Sequence, residues 1–221
     1  MIPAQPNQSL IDGLACLQAL AAADQPVGVR ELARQLNLET TRVSRLLGTL
    51  AHLGLAEKNA NRKYRTGPGM HVLSAQSLRG SRLLQKAWPA LRALRKEKLT
   101  VALGVLWQDQ VCYLYHGRPD HAFEEGVFHF DLFPAHKSTI GQVLLAARPE
   151  LASPELAPLL QEIREQGYAY LDRGQGERTV GVPVGHPAVA GLAFAGQFPA
   201  SRIPRLVKLL QSTVKTIEEN L

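Results

Sequence analysis

Two runs of apolar positions at helical spacing, separated by a short break, dominate the first third of the chain. In Val29–Leu36 the residues Val29, Leu32, Ala33 and Leu36 share one face. Over residues 40–52, Val43, Leu46, Leu47 and Leu50 do the same. Asn37 and Leu38 lie between the runs, and Asn tolerates the left-handed backbone angles of a sharp turn. Ala33 is small, as needed where two helices touch, and Val43 is expected to pack back toward it. Upstream, Leu10, Leu14, Leu17 and Ala21 recur at helical spacing behind Ser9, a capping residue type. Asp24-Gln25-Pro26 ends that helix. Downstream, Gly54 breaks the pattern, and residues 55–58 and 63–66 read as short strands joined by a turn over 59–62.

Gly67-Pro68-Gly69 marks a boundary. Two further helices are predicted, over 70–80 and over 81–98, with Pro89 inside the second. The pattern then changes. Residues 101–107 form a continuous apolar run of strand length, Asp109-Gln110 turns, and 111–115 returns as a hairpin. Strands are also predicted over 123–130, 168–170, 179–184 and 189–195. Helices are predicted over 138–147 and 154–166. Residues 203–219 form an amphipathic helix with Ile203, Leu206, Val207, Leu210, Val214 and Ile217 on its apolar stripe. Strands interleaved with helices indicate a mixed α+β domain separate from the first. The predicted domains are 1–67, a helical linker over 68–98, and 99–221.

Two tightly packed helices followed by a hairpin describe a winged helix-turn-helix, a unit whose second helix enters the DNA major groove. The polar side of that helix carries Thr40, Thr41, Arg42, Ser44 and Arg45, side chains able to reach base edges or phosphates. The hairpin carries Lys58, Arg62, Lys63 and Arg65, which suits a loop lying along a phosphate backbone. Charge supports this placement. The 221 residues carry a net charge of +6, and residues 1–80 hold nine Lys or Arg against five Asp or Glu. Most of the basic excess thus falls in about a third of the chain, and a polyanionic partner is expected. Cys16 and Cys112 are expected as buried free thiols, consistent with a cytoplasmic setting. No apolar run approaches a membrane span, and no signal peptide is read at the N-terminus.

The chain resembles the IclR-type bacterial transcription regulators from about Ser9 to Glu219. The resemblance is carried by Glu31-Leu-Ala33, Thr41-Arg-Val-Ser-Arg-Leu-Leu47, Leu53-Gly-Leu55, Tyr64-Arg-Thr-Gly67 and Pro134-Ala-His-Lys-Ser-Thr-Ile-Gly141. Gln166-Gly-Tyr168 and Arg178-Thr-Val-Gly-Val-Pro-Val184 continue it in order. It implies a winged helix-turn-helix joined by a helical linker to a GAF-like effector domain, an antiparallel sheet with flanking helices. It also implies a homodimer or dimer of dimers on a pseudo-palindromic operator, controlled by a small metabolite. It calls for no cofactor and no membrane partner.

The chain also departs from that family. The link over 148–154 is shorter than its counterpart. The positions that line the pocket in acid-binding members correspond here to Leu171, Thr179, Ala193 and Ala195, with Asp172 adjacent to the first. Trp107, Thr139 and Ile140 complete the expected effector-binding set. A buried carboxylate needs donors, and alanines offer none, so an apolar or aromatic effector is expected. The alternative is an effector-independent regulator with a degenerate pocket.

Other classes are weaker. His116, His121, His129, His136 and His186 show no zinc-type spacing, which leaves a metal-sensing regulator a distant reading. His136 is expected to hydrogen-bond structurally at the start of its helix. There is no Gly-x-Ser-x-Gly elbow and no glycine-rich phosphate loop, so an enzyme is not expected. Trp107, Tyr113 and Tyr115 are candidates for either the pocket or the core.

Overall fold

The computed structural model describes residues 5–128 and 132–219. It divides into two compact units, Met1–Ser81 and Arg82–Leu221.

The first unit contains α1 (Gln8–Ala21), α2 (Val29–Leu36), α3 (Thr40–His52), β1 (Ala56–Lys58), β2 (Tyr64–Thr66) and α4 (Pro68–Gly80). Asn7 caps α1 in place of Ser9, its side chain accepting the Leu10 N–H at 3.1 Å. The buried face of α1 is not the expected one. Leu10, Leu14 and Ala21 are exposed, while Asp12, Cys16, Leu17, Ala19 and Leu20 are buried. The helix can turn Asp12 inward because Gln8 Nε2 donates to it at 2.7 Å and Arg42 pairs with it. α2 stops where expected: Asn37 is left-handed at φ 52°, and the Leu38 N–H returns to the Ala33 carbonyl at 2.9 Å. Ala33, Val43 and Leu47 are buried in one core with Leu32, Cys16 and Leu20. Val27 and Tyr64 exchange backbone hydrogen bonds of 2.7 and 2.8 Å, which tie the hairpin to the segment ahead of α2. Pro68 starts α4 rather than ending a loop, since Pro suits the first helical turn.

The second unit begins with α5 (Arg82–Leu94), which contains Pro89. A six-stranded antiparallel sheet follows: β3 (Thr100–Trp107), β4 (Gln110–Gly117), β5 (Leu132–Pro134), β6 (Ala169–Gly174), β7 (Glu177–Val184) and β8 (Ala190–Gln197), in the order β5-β4-β3-β8-β7-β6. Alternation along the strands splits the core. Val101, Leu103, Val180, Val182, Leu192 and Phe194 face α5 and α8 (Ile203–Glu218). Ala102, Val111, Ala169 and Ala193 face α6 (Thr139–Ala147), which is backed by α7 (Ala157–Gln166). α4 and α5 make up the helical linker.

α6 lies unusually close to the sheet. A Cβ on Gly191 would sit 2.8 Å from Ile140 Cγ2, and one on Gly181 would sit 3.0 Å from Thr139 Oγ1. Small strand residues therefore set the depth at which α6 rests.

The strand expected over 123–130 is not found in its described part, where Glu124–Phe128 form a 3-10 turn. Glu125 Oε1 accepts the Ala122 N–H at 2.8 Å, a local bond that competes with strand pairing. Gly126 packs where a Cβ would lie 2.7 Å from Tyr115 Cε2. Residues 129 and 130 lie outside the described residues, as does His129.

Candidate nucleic-acid interface and effector cavity

The polar face of α3 divides into two kinds of position. Thr40, Thr41, Ser44 and Arg45 are exposed and stand off the Val43–Leu47 core. Arg42 is only half-exposed, and its Nε lies 2.6 Å from Asp12 Oδ2, whose side chain keeps 6% exposure. The two groups meet as an ion pair off the straight N–H line. Arg45 makes no ion pair among the described residues, and its carbonyl accepts the Thr49 hydroxyl at 3.1 Å.

The hairpin is shaped by its turn. Arg62 sits at the tip in the left-handed region, φ 59°. Asn59 Oδ1 accepts the Lys63 N–H at 3.0 Å and closes the turn. Lys58, Arg62, Lys63 and Arg65 are all exposed. Arg65 is paired with Glu57 across the two strands, and Lys58 Nζ stands 5.5 Å from the centre of the Tyr64 ring. Arg62 and Lys63 make no ion pair among the described residues, so their charge is the most available on this element.

In the second unit a cavity of about 410 Å³ opens between the sheet and the start of α6. Five expected residues line it: Thr139, Ile140, Thr179, Ala193 and Ala195. The strand register explains this, since Thr179 stands opposite Ala195 and Ala102 opposite Ala193. Trp107, Leu171 and Asp172 are not among the lining residues. Trp107 is at the end of β3 with 48% exposure. Leu171 pairs with Thr179, but Asp172 turns outward. Its carboxylate accepts from the Gly174 N–H, the Tyr170 hydroxyl and Arg178. These bonds, the Gly174 N–H foremost, hold its pKa below the usual carboxylate value.

The cavity also contains residues that the sequence did not single out as lining: Ala102, His116, Phe133, Ser138, Arg173 and Glu177, and it settles Tyr113 as a lining residue. The alanines therefore do not leave it without donors. The Tyr113 hydroxyl is 3.0 Å from Ser138 Oγ, which also accepts the Gly141 N–H and caps α6. Arg173 reaches the Lys137 carbonyl at 3.0 Å. Thr179 Oγ1 is buried without a hydrogen-bond partner among the described residues, a costly state for a hydroxyl that lacks a ligand or water. No spacing signal marks Arg173 or His116, because the fold brings them together from different strands.

Tyr115 belongs to the core at 0% exposure. The His136 imidazole is exposed; the residue's carbonyl, not its ring, takes the structural hydrogen bond, from Gln142 Nε2 at 3.0 Å. Among the described residues no three His, Cys, Asp or Glu side chains gather as a metal site, and no helix is long and apolar enough to cross a membrane.

Residues 9–60 match the model of the IclR helix-turn-helix domain. The transcriptional regulator KdgR of Escherichia coli is 26% identical over 96% of this chain and 92% of its own length. Among solved structures, an IclR family transcriptional regulator from Brucella abortus superposes with a TM-score of 0.77 at 22% identity, covering 98% of this chain and 93% of that one. An IclR homolog from Microbacterium hydrocarbonoxydans, complexed with 4-hydroxybenzoate, superposes with a TM-score of 0.66 at 21% identity, over 96% and 98%.

Proposed function

We propose that this chain, whose residues 9–60 match the IclR helix-turn-helix domain and which is similar to KdgR along its length, is a DNA-binding transcriptional regulator and not an enzyme. A homodimer, or a dimer of dimers, binds a pseudo-palindromic operator in the cytoplasm. α3 enters the major groove, with Thr41, Ser44 and Arg45 reaching base edges. The wing follows the backbone, with Arg62 and Lys63 on phosphates. The observation that carries this reading is the exposed polar face of α3, whose side chains serve no purpose in the core beneath them.

Control comes from a small molecule with an apolar or aromatic body in the cavity under α6. Its volume of about 410 Å³ falls in the range of small-molecule sites and exceeds what a two- or three-carbon acid fills. Ala102, Ile140, Ala193 and Ala195 give it an apolar floor. The unpartnered Thr179 hydroxyl, with Arg173 and Tyr113, supplies anchors for one polar substituent. The related fold holding 4-hydroxybenzoate supports a ligand of that size.

Footprinting of the purified protein on the DNA beside its own gene tests the reading. A protected region of two half-sites, about one or two helical turns apart, is expected. A protein that stays monomeric and protects nothing refutes it.

A further inference from the structure

A cleft of about 420 Å³ separates α2 from the start of α3, lined by Arg30, Arg34, Asn37, Glu39, Thr40 and Arg42 along its polar wall. We infer that this cleft seats a phosphate of the duplex backbone, and that Asp12 is the positioning residue that fixes Arg42 beside it. The inference rests on the DNA-binding reading of the chain and adds to it a DNA-facing surface on α2 and a role for α1.

Charge is the first argument. Arg30 and Arg34 are one helical turn apart on the same side of α2, and both are exposed. Neither meets a carboxylate at ion-pair distance among the described residues. Like charges at this spacing repel one another and weaken a helix. Arg42 adds a third cation from the facing helix. Among the described residues Glu39 is the one carboxylate on the wall, and it pairs with none of them. With Arg42 already paired with Asp12, the guanidiniums of Arg30 and Arg34 against Glu39 still leave the cleft short of one negative charge. A phosphodiester oxygen supplies it, and the planar guanidinium fork suits phosphate.

The second argument is the way Arg42 is held. A free arginine gives up side-chain entropy on binding. Here a buried carboxylate on α1 holds the Nε edge of the guanidinium in an ion pair. The terminal nitrogens keep their capacity for a second acceptor. Gln8 braces Asp12 from the other side at 2.7 Å. Asp12 thus acts through Arg42, and it touches no DNA.

The test uses a duplex that the full-length chain itself selects from a random-sequence pool, and an unrelated duplex of equal length. Affinity is measured across about 50–200 mM salt. Each phosphate that a variant no longer neutralises lowers the logarithmic salt slope by roughly 0.9, which is about a threefold smaller loss of affinity over that range. Arg30→Ala and Arg34→Ala are expected to show this drop on both duplexes alike. Glu39→Gln is expected to tighten binding to both, a gain that misfolding cannot produce. Asp12→Asn, which keeps the shape and the bond from Gln8, is expected to lower the slope as Arg42→Ala does. The double variant is expected to fall no further. Asp12→Glu, which restores the charge, is expected to recover part of the slope. Unchanged slopes in the Arg30 and Arg34 variants overturn the cleft. A slope in Asp12→Asn that is unchanged, or steeper because a negative charge is gone, overturns the positioning role. If the unmodified chain binds neither duplex, the DNA reading itself fails and the cleft with it.

Discussion

The Tyr113 hydroxyl stands 3.0 Å from Ser138 Oγ, so a side chain of β4 meets the residue that caps α6 at the wall of the cavity. The Gly141 N–H donates to the same Ser138 oxygen at 3.3 Å. One atom therefore joins the sheet, the helix start and the cavity wall. Ser138→Ala removes both bonds and is expected to destabilise the protein by about 1–2 kcal/mol, the scale of a missing N-cap. Tyr113→Phe removes one bond and leaves the cap, and about 0.5–1.5 kcal/mol is expected. Urea unfolding of the two variants measures both, and equal losses would mean that the cap contributes nothing.

Gly141 gives a prediction whose sign opposes helix propensity. Replacing a helical glycine with alanine ordinarily stabilises by about 1 kcal/mol. Here the new Cβ would lie 2.1 Å from the Ala135 carbonyl oxygen and 2.4 Å from its Cα. Backbone atoms cannot give way as a side chain can. Gly141→Ala is expected to destabilise by about 1–3 kcal/mol or more, as overpacking does. A variant that melts above the unmodified protein would show that α6 sits further from the turn over 135–137.

These two sites show what could be read from the sequence and what could not. Helices α2 and α3 were legible because one buried stripe at a period of 3.6 and one left-handed Asn define them. The apolar period in α1 misled. Leu10 and Leu14 repeat correctly but are exposed, and the buried face is led by Asp12, whose partner Arg42 lies on another helix. A buried carboxylate paired with a half-exposed arginine leaves no hydrophobic signal. The cavity was half legible. The family resemblance pointed to Thr179, Ala193 and Ala195, and the strand register sets them on one wall. Arg173, His116 and Ser138 reach it only because β3 pairs with β8 across the sheet, a long-range pairing that local pattern does not encode.

Arg45 and Arg62 are expected to fail in different ways. Arg45 leaves α3 away from the core, so Arg45→Ala should fold normally. If it is bidentate to a guanine, its loss costs about 1–3 kcal/mol of operator binding and relaxes preference at that base pair. Arg62, at the tip of the wing, is expected to act on phosphate, so Arg62→Ala weakens all duplexes alike. Gel shifts on the operator and on single-base variants separate the two patterns. Unchanged operator affinity in Arg45→Ala would count against α3 as the reader.

The two thiols are expected to be unreactive while the protein is folded. Burial pushes the Cys16 thiol up, and the nearby Asp12 charge adds to it; burial alone raises Cys112. Only the thiolate attacks an alkylating agent. A raised pKa keeps both in the neutral form at pH 7, and Cys16 is also fully covered. Mass spectrometry after iodoacetamide treatment should find Cys16 unmodified in native protein and modified in denaturant. Rapid labelling of Cys16 in the native state would show that α1 leaves the core.

An effector held in this cavity must match its shape and its lining. Glyoxylate or pyruvate would leave most of its volume unfilled, so the apolar floor of Ala102, Ile140, Ala193 and Ala195 would contribute little to their binding. An aromatic acid covers that floor and can place its polar group by Arg173 and the Thr179 hydroxyl. Burying a ring gains about 25 cal/mol per Å² of apolar surface, and a satisfied hydroxyl adds about 0.5–1.5 kcal/mol. Calorimetry with a panel of carboxylates and aromatic metabolites is expected to detect the aromatic members alone. Thr179→Val, which keeps the shape and removes the hydroxyl, is then expected to weaken them roughly two- to tenfold on the same hydrogen-bond scale. The sheet remains intact in that variant, because Val suits a strand. Micromolar binding of glyoxylate or pyruvate would show that polar groups, not the alanine floor, set the selectivity of the site. Binding of no member, with DNA affinity unaffected throughout, would instead mark a regulator governed by its own concentration.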